Sequence, residues 1–264
     1  MQLTGEVAVV TGGGSGFGAA LCRGLAAEGA HVVAVDLHGD RAREVAAEVG
    51  GLAVEADVSV EEEVQRAVDE AGRWRGPVEV MISNAGVVGP SDVFTGDDCW
   101  DREWRVHVMS NLYAARAVLP SMLERGCGWL VSTASAVGLT NQPGTAAYVV
   151  TKHAQVALAE HLALTYADRG IQVSCICPLG MRTGMTASAA AGADPADRFG
   201  ATTLIDADEA AARALAQLHE GRFLVLTHPE VATYAARRGA DHDRWLAGLR
   251  RMYTRLRVRE PAAG

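Results

Sequence analysis

Val7-Ala8-Val9-Val10-Thr11-Gly12-Gly13-Gly14-Ser15-Gly16-Phe17-Gly18 is an apolar run of strand length that enters a glycine-rich turn, after which helical periodicity begins. Residues without a β-carbon let the backbone turn sharply and let an anion approach the amide groups at the positive end of the following helix. The spacing is Gly-x-x-x-Gly-x-Gly over Gly12, Gly16 and Gly18, not the Gly-x-Gly-x-x-Gly of long-chain dehydrogenases. The next apolar run, Val32–Val35, ends in Asp36, where a carboxylate can accept both hydroxyls of an adenosine ribose. That charge repels a 2′-phosphate, Leu37 follows instead of an arginine, and Ser15 brings no cation to the loop. NAD is therefore expected over NADP, with Arg41 and Arg43 as the opposing signal.

Working outward, apolar runs of strand length alternate with helical stretches. The runs are Val7–Val10, Val32–Val35, Leu52–Glu55, Val78–Ile82, Trp129–Ser132, Ile171–Ile176 and Phe223–Leu226. Helices are expected to about residue 28 and over 40–49, 60–74, 98–124, 145–168 and 204–220. This alternation predicts an α/β fold: a single doubly wound, Rossmann-type parallel sheet of about seven strands, with helices on both faces and ligands at the carboxyl ends of the strands. Residues 1–229 form this domain, with 184–203, rich in Gly, Ala and Thr, read as a flap or a surface loop. Residues 230–264 carry eight arginines against four acids, with Trp245, Leu246, Leu249, Met252, Tyr253 and Leu256 on one stripe. This basic extension is expected to pack on its own domain or on a neighbouring subunit.

Bulk properties narrow the function. A net charge of −8 and a pI near 5.5 argue against a nucleic-acid partner. No apolar segment reaches membrane-spanning length and no signal peptide is visible, so a soluble cytoplasmic protein is expected. The five cysteines show no metal-ligand spacing, and Cys175 and Cys177 read as core thiols on one face of a strand.

The chain has one lysine, Lys152, four residues after Tyr148. Positions i and i+4 share a helix face, so the ammonium is expected near the phenol, favouring phenolate and lowering the pKa from about 10. Tyr148 then becomes a candidate general acid/base.

Taken together, these motifs resemble the short-chain dehydrogenase/reductase family over roughly residues 3–227. Gly12, Gly16 and Gly18 match its glycine spacing. Asp57-Val58 resembles the pair that brackets the adenine ring, and Ser83-Asn84-Ala85-Gly86 resembles its Asn-Asn-Ala-Gly. Tyr148 and Lys152 form its Tyr-x-x-x-Lys signature, and Ser135 lies 13 residues before Tyr148, the family's usual interval. Pro178 follows the sixth strand, and Thr183 stands where the family often contacts the nicotinamide carboxamide. The resemblance implies a cofactor site formed by Gly12, Ser15, Gly16, Phe17, Gly18, Asp36, Leu37, Asp57, Val58, Asn84, Ala85, Gly86, Tyr148, Lys152, Pro178 and Thr183. It further implies a homodimer or homotetramer, and reversible hydride transfer with a secondary alcohol or ketone. Ser135 would then orient the substrate oxygen and Lys152 hold the nicotinamide ribose.

Two positions depart from the pattern. His107 follows Val106 where the family has its catalytic asparagine, so it is expected to preserve the proton relay or to add a group titrating near pH 6–7, with Asn111 a possible substitute. Pro178-Leu179-Gly180 replaces Pro-Gly. Val87, Val88, Val137, Leu139 and Met185 suggest an apolar substrate pocket for a medium-sized hydrophobic or cyclic alcohol. The rival reading is an NAD(H)-binding sensor that has lost its chemistry. Against it, Ser135, Tyr148 and Lys152 are all present.

Overall fold

A computed structural model describes residues 3–184 and 204–259. In chain order the elements are β1 (Val7–Thr11), α1 (Gly16–Ala27), β2 (His31–Asp36), α2 (Gly39–Val49), β3 (Leu52–Glu55), α3 (Glu61–Arg75) and β4 (Val78–Ser83). Then come α4 (Asp97–Trp104), a π-helical turn (Arg105–Met109), α5 (Ser110–Arg125), β5 (Gly128–Thr133), α6 (Ala146–Tyr166) and β6 (Ile171–Ile176). The short strands β7 (Met181–Arg182) and β8 (Ile205–Asp206) precede α7 (Ala207–His219), β9 (Leu224–Val225), α8 (Glu230–Ala240) and α9 (His242–Arg259).

Seven strands form one parallel sheet in the order β3-β2-β1-β4-β5-β6-β9. Side chains alternate between the faces of a strand, and here both faces are covered. Val7, Val9, Val33, Val35 and Met81 pack with Val64 and Ala67 of α3 and Val118 and Met122 of α5. Ala8, Val10, Val32, Ala34, Val80 and Ile82 pack with Leu21 and Leu25 of α1 and with Ala214 and Leu215 of α7. This accounts for strands that read as continuous apolar runs. Cys175 and Cys177 lie in the first of these cores with their sulfurs 3.9 Å apart, as core thiols.

The order of strands reverses between β1 and β4, so the loops after them leave in opposite directions and open a crevice. Thr11, at the end of β1, holds its two sides together. Its Oγ1 accepts the N–H groups of Asn84 (2.9 Å) and Ala85 (3.1 Å), and its carbonyl accepts from Asn84 Nδ2 (3.0 Å). Gly18 permits a close approach at the same place: a β-carbon there would lie 2.0 Å from the Gly12 carbonyl oxygen.

The continuous helix expected over 98–124 is interrupted. At the π turn the i→i+4 ladder slips by a residue, and side chains take up the displaced carbonyls. Ser110 Oγ donates to Val106 O (2.6 Å) and Asn111 Nδ2 to His107 O (2.7 Å). The parallel pair β7–β8 was also absent from the sequence reading, because two-residue strands carry no periodicity. The basic extension forms two helices, because Asp241 between α8 and α9 has an extended backbone, and the stretch expected to be helical from Trp245 to Leu256 falls within α9. Val231 of α8 is fully buried and Arg238 donates to Leu139 O (3.1 Å), so α8 packs on the domain. The 184–203 segment lies, but for Gly184, outside the described residues. Among the described residues no helix is long and apolar enough to cross a membrane.

Candidate active site

A cavity of about 710 Å³ runs along the carboxyl ends of the strands. Asp36, Leu37, Asp57 and Val58 line it beyond β2 and β3; Ser135, Tyr148 and Lys152 line it beyond β5. Every residue expected to hold the cofactor is in its wall, and of the four expected catalytic residues only His107 is not.

At its centre α1 begins without an acidic residue in its first turn, and its N-cap, Ser15, makes no side-chain capping bond. The positive helix end therefore retains donors for an anion. Phe17 also lines the cavity, with its side chain largely buried in the core beside Ala19 and Leu21. Asp36 is fixed by backbone: Gly14 N–H donates to Oδ2 (3.0 Å) and His38 N–H to Oδ1 (2.9 Å). Each oxygen keeps a lone pair for a hydroxyl donor. Asp57 shapes the next turn by accepting Ser59 N–H at 2.8 Å. Asn84 is a structural clamp, its amide spent on Thr11 O. Thr183 stands opposite the glycine turn, its Cβ 3.5 Å from where a β-carbon of Gly16 would be. Pro178 O accepts Ala136 N–H (2.8 Å), tying the loop after β6 to the turn that carries Ser135. A loop whose backbone is bare of side chains, a donor-rich helix end and an acid at the next strand's tip fit an adenine dinucleotide.

At the other end, Ser135 Oγ accepts Val137 N–H (3.2 Å), which fixes the hydroxyl and leaves its proton to donate. Tyr148 and Lys152 share one face of α6, with Lys152 Nζ 5.5 Å from the centre of the Tyr148 ring. The ammonium does not lean on the phenolic oxygen. It donates to Thr133 O (3.1 Å) and to Gln155 Oε1 (2.6 Å). The expected acidic phenol is corrected accordingly. Burial pushes Tyr148 up to about 12, with only the Ser135 hydroxyl acting against it, while burial brings Lys152 down to about 8.

His107 is fully buried, its ring edge-on to Tyr148 at 5.5 Å between centroids. Its Nε2 accepts Val87 N–H (3.1 Å), so the ring proton is on Nδ1 and meets Thr151 Oγ1 (2.8 Å), which in turn donates to Ala147 O (2.9 Å). Burial, helped by the Lys152 charge, holds its pKa well below 6.5. The expectation of a group titrating near pH 6–7 is thus overturned: His107 is a neutral strut between α6 and the loop after β4. Asn111 does not replace the asparagine either, because its amide is committed to His107 O and lies outside the cavity.

Sequence reading also missed several groups. Gln155, one turn after Lys152, was available from its spacing. Glu103, four residues before His107, is buried and accepts Gly89 N–H (3.2 Å). Gln142 lines the cavity; its Nε2 donates to Thr145 Oγ1 (2.8 Å) while its buried Oε1 has no partner among the described residues. Leu139, expected in the wall, is absent from it, and Met185 is outside the described residues.

Because His107 stays neutral when folded, the unfolded chain binds a proton that the folded one does not as pH drops below about 6.5, and stability falls with it. Acidification from about pH 7.5 to about pH 5 should therefore destabilise the wild type more than His107→Asn in urea unfolding. Equal losses would contradict the buried neutral ring.

The sequence matches the short chain dehydrogenase family over residues 6–194. It is 34% identical over 247 residues to 1-deoxy-11-beta-hydroxypentalenate dehydrogenase of Streptomyces exfoliatus, covering 87% of this chain and 86% of that one. It is 34% identical over 191 residues to 3beta-hydroxysteroid dehydrogenase 2 of Eggerthella lenta, covering 69% and 74%. A short chain dehydrogenase/reductase from Burkholderia phymatum, solved in complex with NAD, superposes with a TM-score of 0.84 at 27% identity, over 92% of this chain and 96% of that one. The chain belongs to the short chain dehydrogenase family.

Proposed function

We propose that the cavity is the active site of an NAD-dependent dehydrogenase that interconverts a secondary alcohol and a ketone, with Tyr148 as its acid/base. The carrying observation is that Ser135, Tyr148 and Lys152 meet in one wall of a cavity whose far end holds Asp36. When bound, an oxidised nicotinamide supplies the hydride acceptor and a positive charge that favours phenolate. Ser135 donates a hydrogen bond to the substrate oxygen and orients it. Tyr148 takes the hydroxyl proton as the carbinol hydrogen leaves with its electron pair; in reduction Tyr148 returns that proton. Lys152, anchored on Thr133 O and Gln155 Oε1, keeps one N–H for the ribose hydroxyls. Gly12, Ser15, Gly16, Gly18, Leu37, Val58, Ala85 and Gly86 form the rest of the dinucleotide wall. Asn84 positions it, and Thr183 closes over the glycine turn. The sensor alternative is not favoured, because the proton-transfer set is complete and the relatives are named as dehydrogenases.

NAD is preferred over NADP because the Asp36 carboxylate is held in place by two backbone N–H groups and would face a 2′-phosphate. The substrate wall is mainly apolar, with Val87, Val88, Val106, Val137 and Leu179. Gln142 is a polar side chain in that part of the wall. A cyclic or otherwise hydrophobic secondary alcohol suits that wall, and the two relatives are named for a hydroxypentalenate and a hydroxysteroid. A homo-oligomer is in keeping with exposed Val150 and Leu164 on α6.

Screening NAD and NADP against a panel of secondary alcohols tests the reading. Tyr148→Phe should still bind NADH by fluorescence but lose about 10²–10⁴-fold in turnover. Full residual turnover would reject Tyr148 as the acid/base. Asp36→Asn, which keeps an acceptor but removes the charge, should narrow an NAD preference of about tenfold or more in kcat/KM. A variant as selective as wild type would move the selectivity elsewhere.

A further inference from the structure

Gln155 is an amide on the buried face of α6, which it shares with Val149, Val156 and Ala159, and it is only 1% exposed. Burying an amide costs free energy unless its polar atoms find partners. Its Oε1 accepts from Lys152 Nζ at 2.6 Å, and its Nε2 donates to Ser132 Oγ at 3.5 Å. With Ser83, Asn111 and Ser132 it lines a cavity of about 20 Å³, a polar niche among residues such as Leu130, Val131 and Val173. Position 107, where the family has its asparagine, gives Lys152 no such support. The His107 ring is committed to Val87 N–H and Thr151 Oγ1, and its carbonyl accepts from Asn111 Nδ2. Among the described residues the ammonium donates to Thr133 O, at 3.1 Å, and to Gln155 Oε1, and only the second belongs to a side chain.

We propose that Gln155 is the positioning residue of Lys152: its carbonyl oxygen holds the ammonium off the phenol and turns the remaining N–H to the nicotinamide ribose, a support that His107 does not give. The inference rests on the dehydrogenase reading of this site. A lysine ammonium carries three donors on a flexible stem. One acceptor leaves it free to turn about that bond, whereas two fix the direction of the third donor. Thr133 O supplies the first from the end of β5. Gln155 supplies the second from three residues along α6, on the same helix face. Its link to Ser132 ties the amide to β5 as well, so helix and strand hold the ammonium together. The result is an Nζ that stands 5.5 Å from the centre of the Tyr148 ring and borders Gly86 of the cavity wall, where a β-carbon would lie 3.8 Å away.

Because Lys152 is the only lysine, protein labelled with 13C at lysine Cε gives a single NMR signal from the site. Gln155→Met keeps the length of the side chain and removes the acceptor; Gln155→Glu keeps an oxygen acceptor and adds charge. An acceptor favours the ammonium over the amine, so the Lys152 midpoint should fall by about 0.5–1 pH unit in the Met variant and rise in the Glu variant. In the Met variant NADH should also bind about tenfold more weakly by fluorescence, as a donor to the ribose loses its direction. With an alcohol from the panel that turns over, the KM for NAD⁺ should rise in step. A Met variant with an unchanged midpoint and unchanged NADH affinity overturns the proposal. So do Met and Glu variants that shift the midpoint the same way, as a merely structural role would. If neither variant folds, the wild type decides: lysine Hε protons should show a nuclear Overhauser contact to Gln155 Hγ, and its absence overturns the proposal. If no alcohol turns over, it is the dehydrogenase reading that fails; the lysine titration needs no substrate and still judges Gln155.

Discussion

The reversal of strand order between β1 and β4 is the constraint on which this molecule's cavity depends. Two neighbouring strands whose connections depart to opposite faces cannot both cover the sheet edge between them, and a crevice is left at their carboxyl ends. It keeps its shape because Thr11 ties the two strand ends with three hydrogen bonds to Asn84 and Ala85, all between buried or half-buried groups. Close backbone contact at Gly12 and Gly18 sets the turn against that seam, which points the donor-rich start of α1 into the crevice. A side chain at Gly18 would meet a carbonyl oxygen, so the turn, the seam and the helix direction are one constraint.

The second half of the site is governed by what burial does to charge. Desolvation disfavours the charged form of every ionisable group. It raises Tyr148 and lowers Lys152 and His107, though His107 is neutral in consequence while Lys152 is kept within reach of its charged form. The difference lies in their partners. His107 is saturated by Val87 N–H and Thr151 Oγ1, a set that suits a neutral ring, whereas Lys152 donates to two carbonyl acceptors, Thr133 O and Gln155 Oε1. His107 lies within the π turn, where Ser110 Oγ and Asn111 Nδ2 donate to the carbonyls of Val106 and His107.

Much of this was legible in the sequence, because the strands are buried on both faces and so read as apolar runs without alternation. The glycine turn, the acid after β2 and the Tyr148–Lys152 pair were legible because each depends on local spacing. What the sequence concealed depends on partners distant along the chain. The i+4 rule put Tyr148 and Lys152 on one face, yet gave no sign that the ammonium would turn to Thr133 O, nineteen residues earlier. His107 looked like a titrating group because its type suggests one; only its buried partners make it a strut. Asn111 was placed one turn along the helix by regular α geometry, and the π turn breaks that geometry. Glu103 carried a signal in its i, i+4 relation to His107, but an acid on a helix dense with charge resembles a solvated surface residue.

The central claim is that one crevice holds a dinucleotide with its adenosine end at Asp36 and its nicotinamide end between Tyr148 and Lys152. A crystal structure of the NAD⁺ complex measures this directly. The account predicts the adenosine ribose hydroxyls on the Asp36 carboxylate, the pyrophosphate against the backbone of Ser15–Gly18 and the nicotinamide ring beside the Tyr148 phenol. A dinucleotide bound in the reverse sense, or outside the crevice, would contradict it.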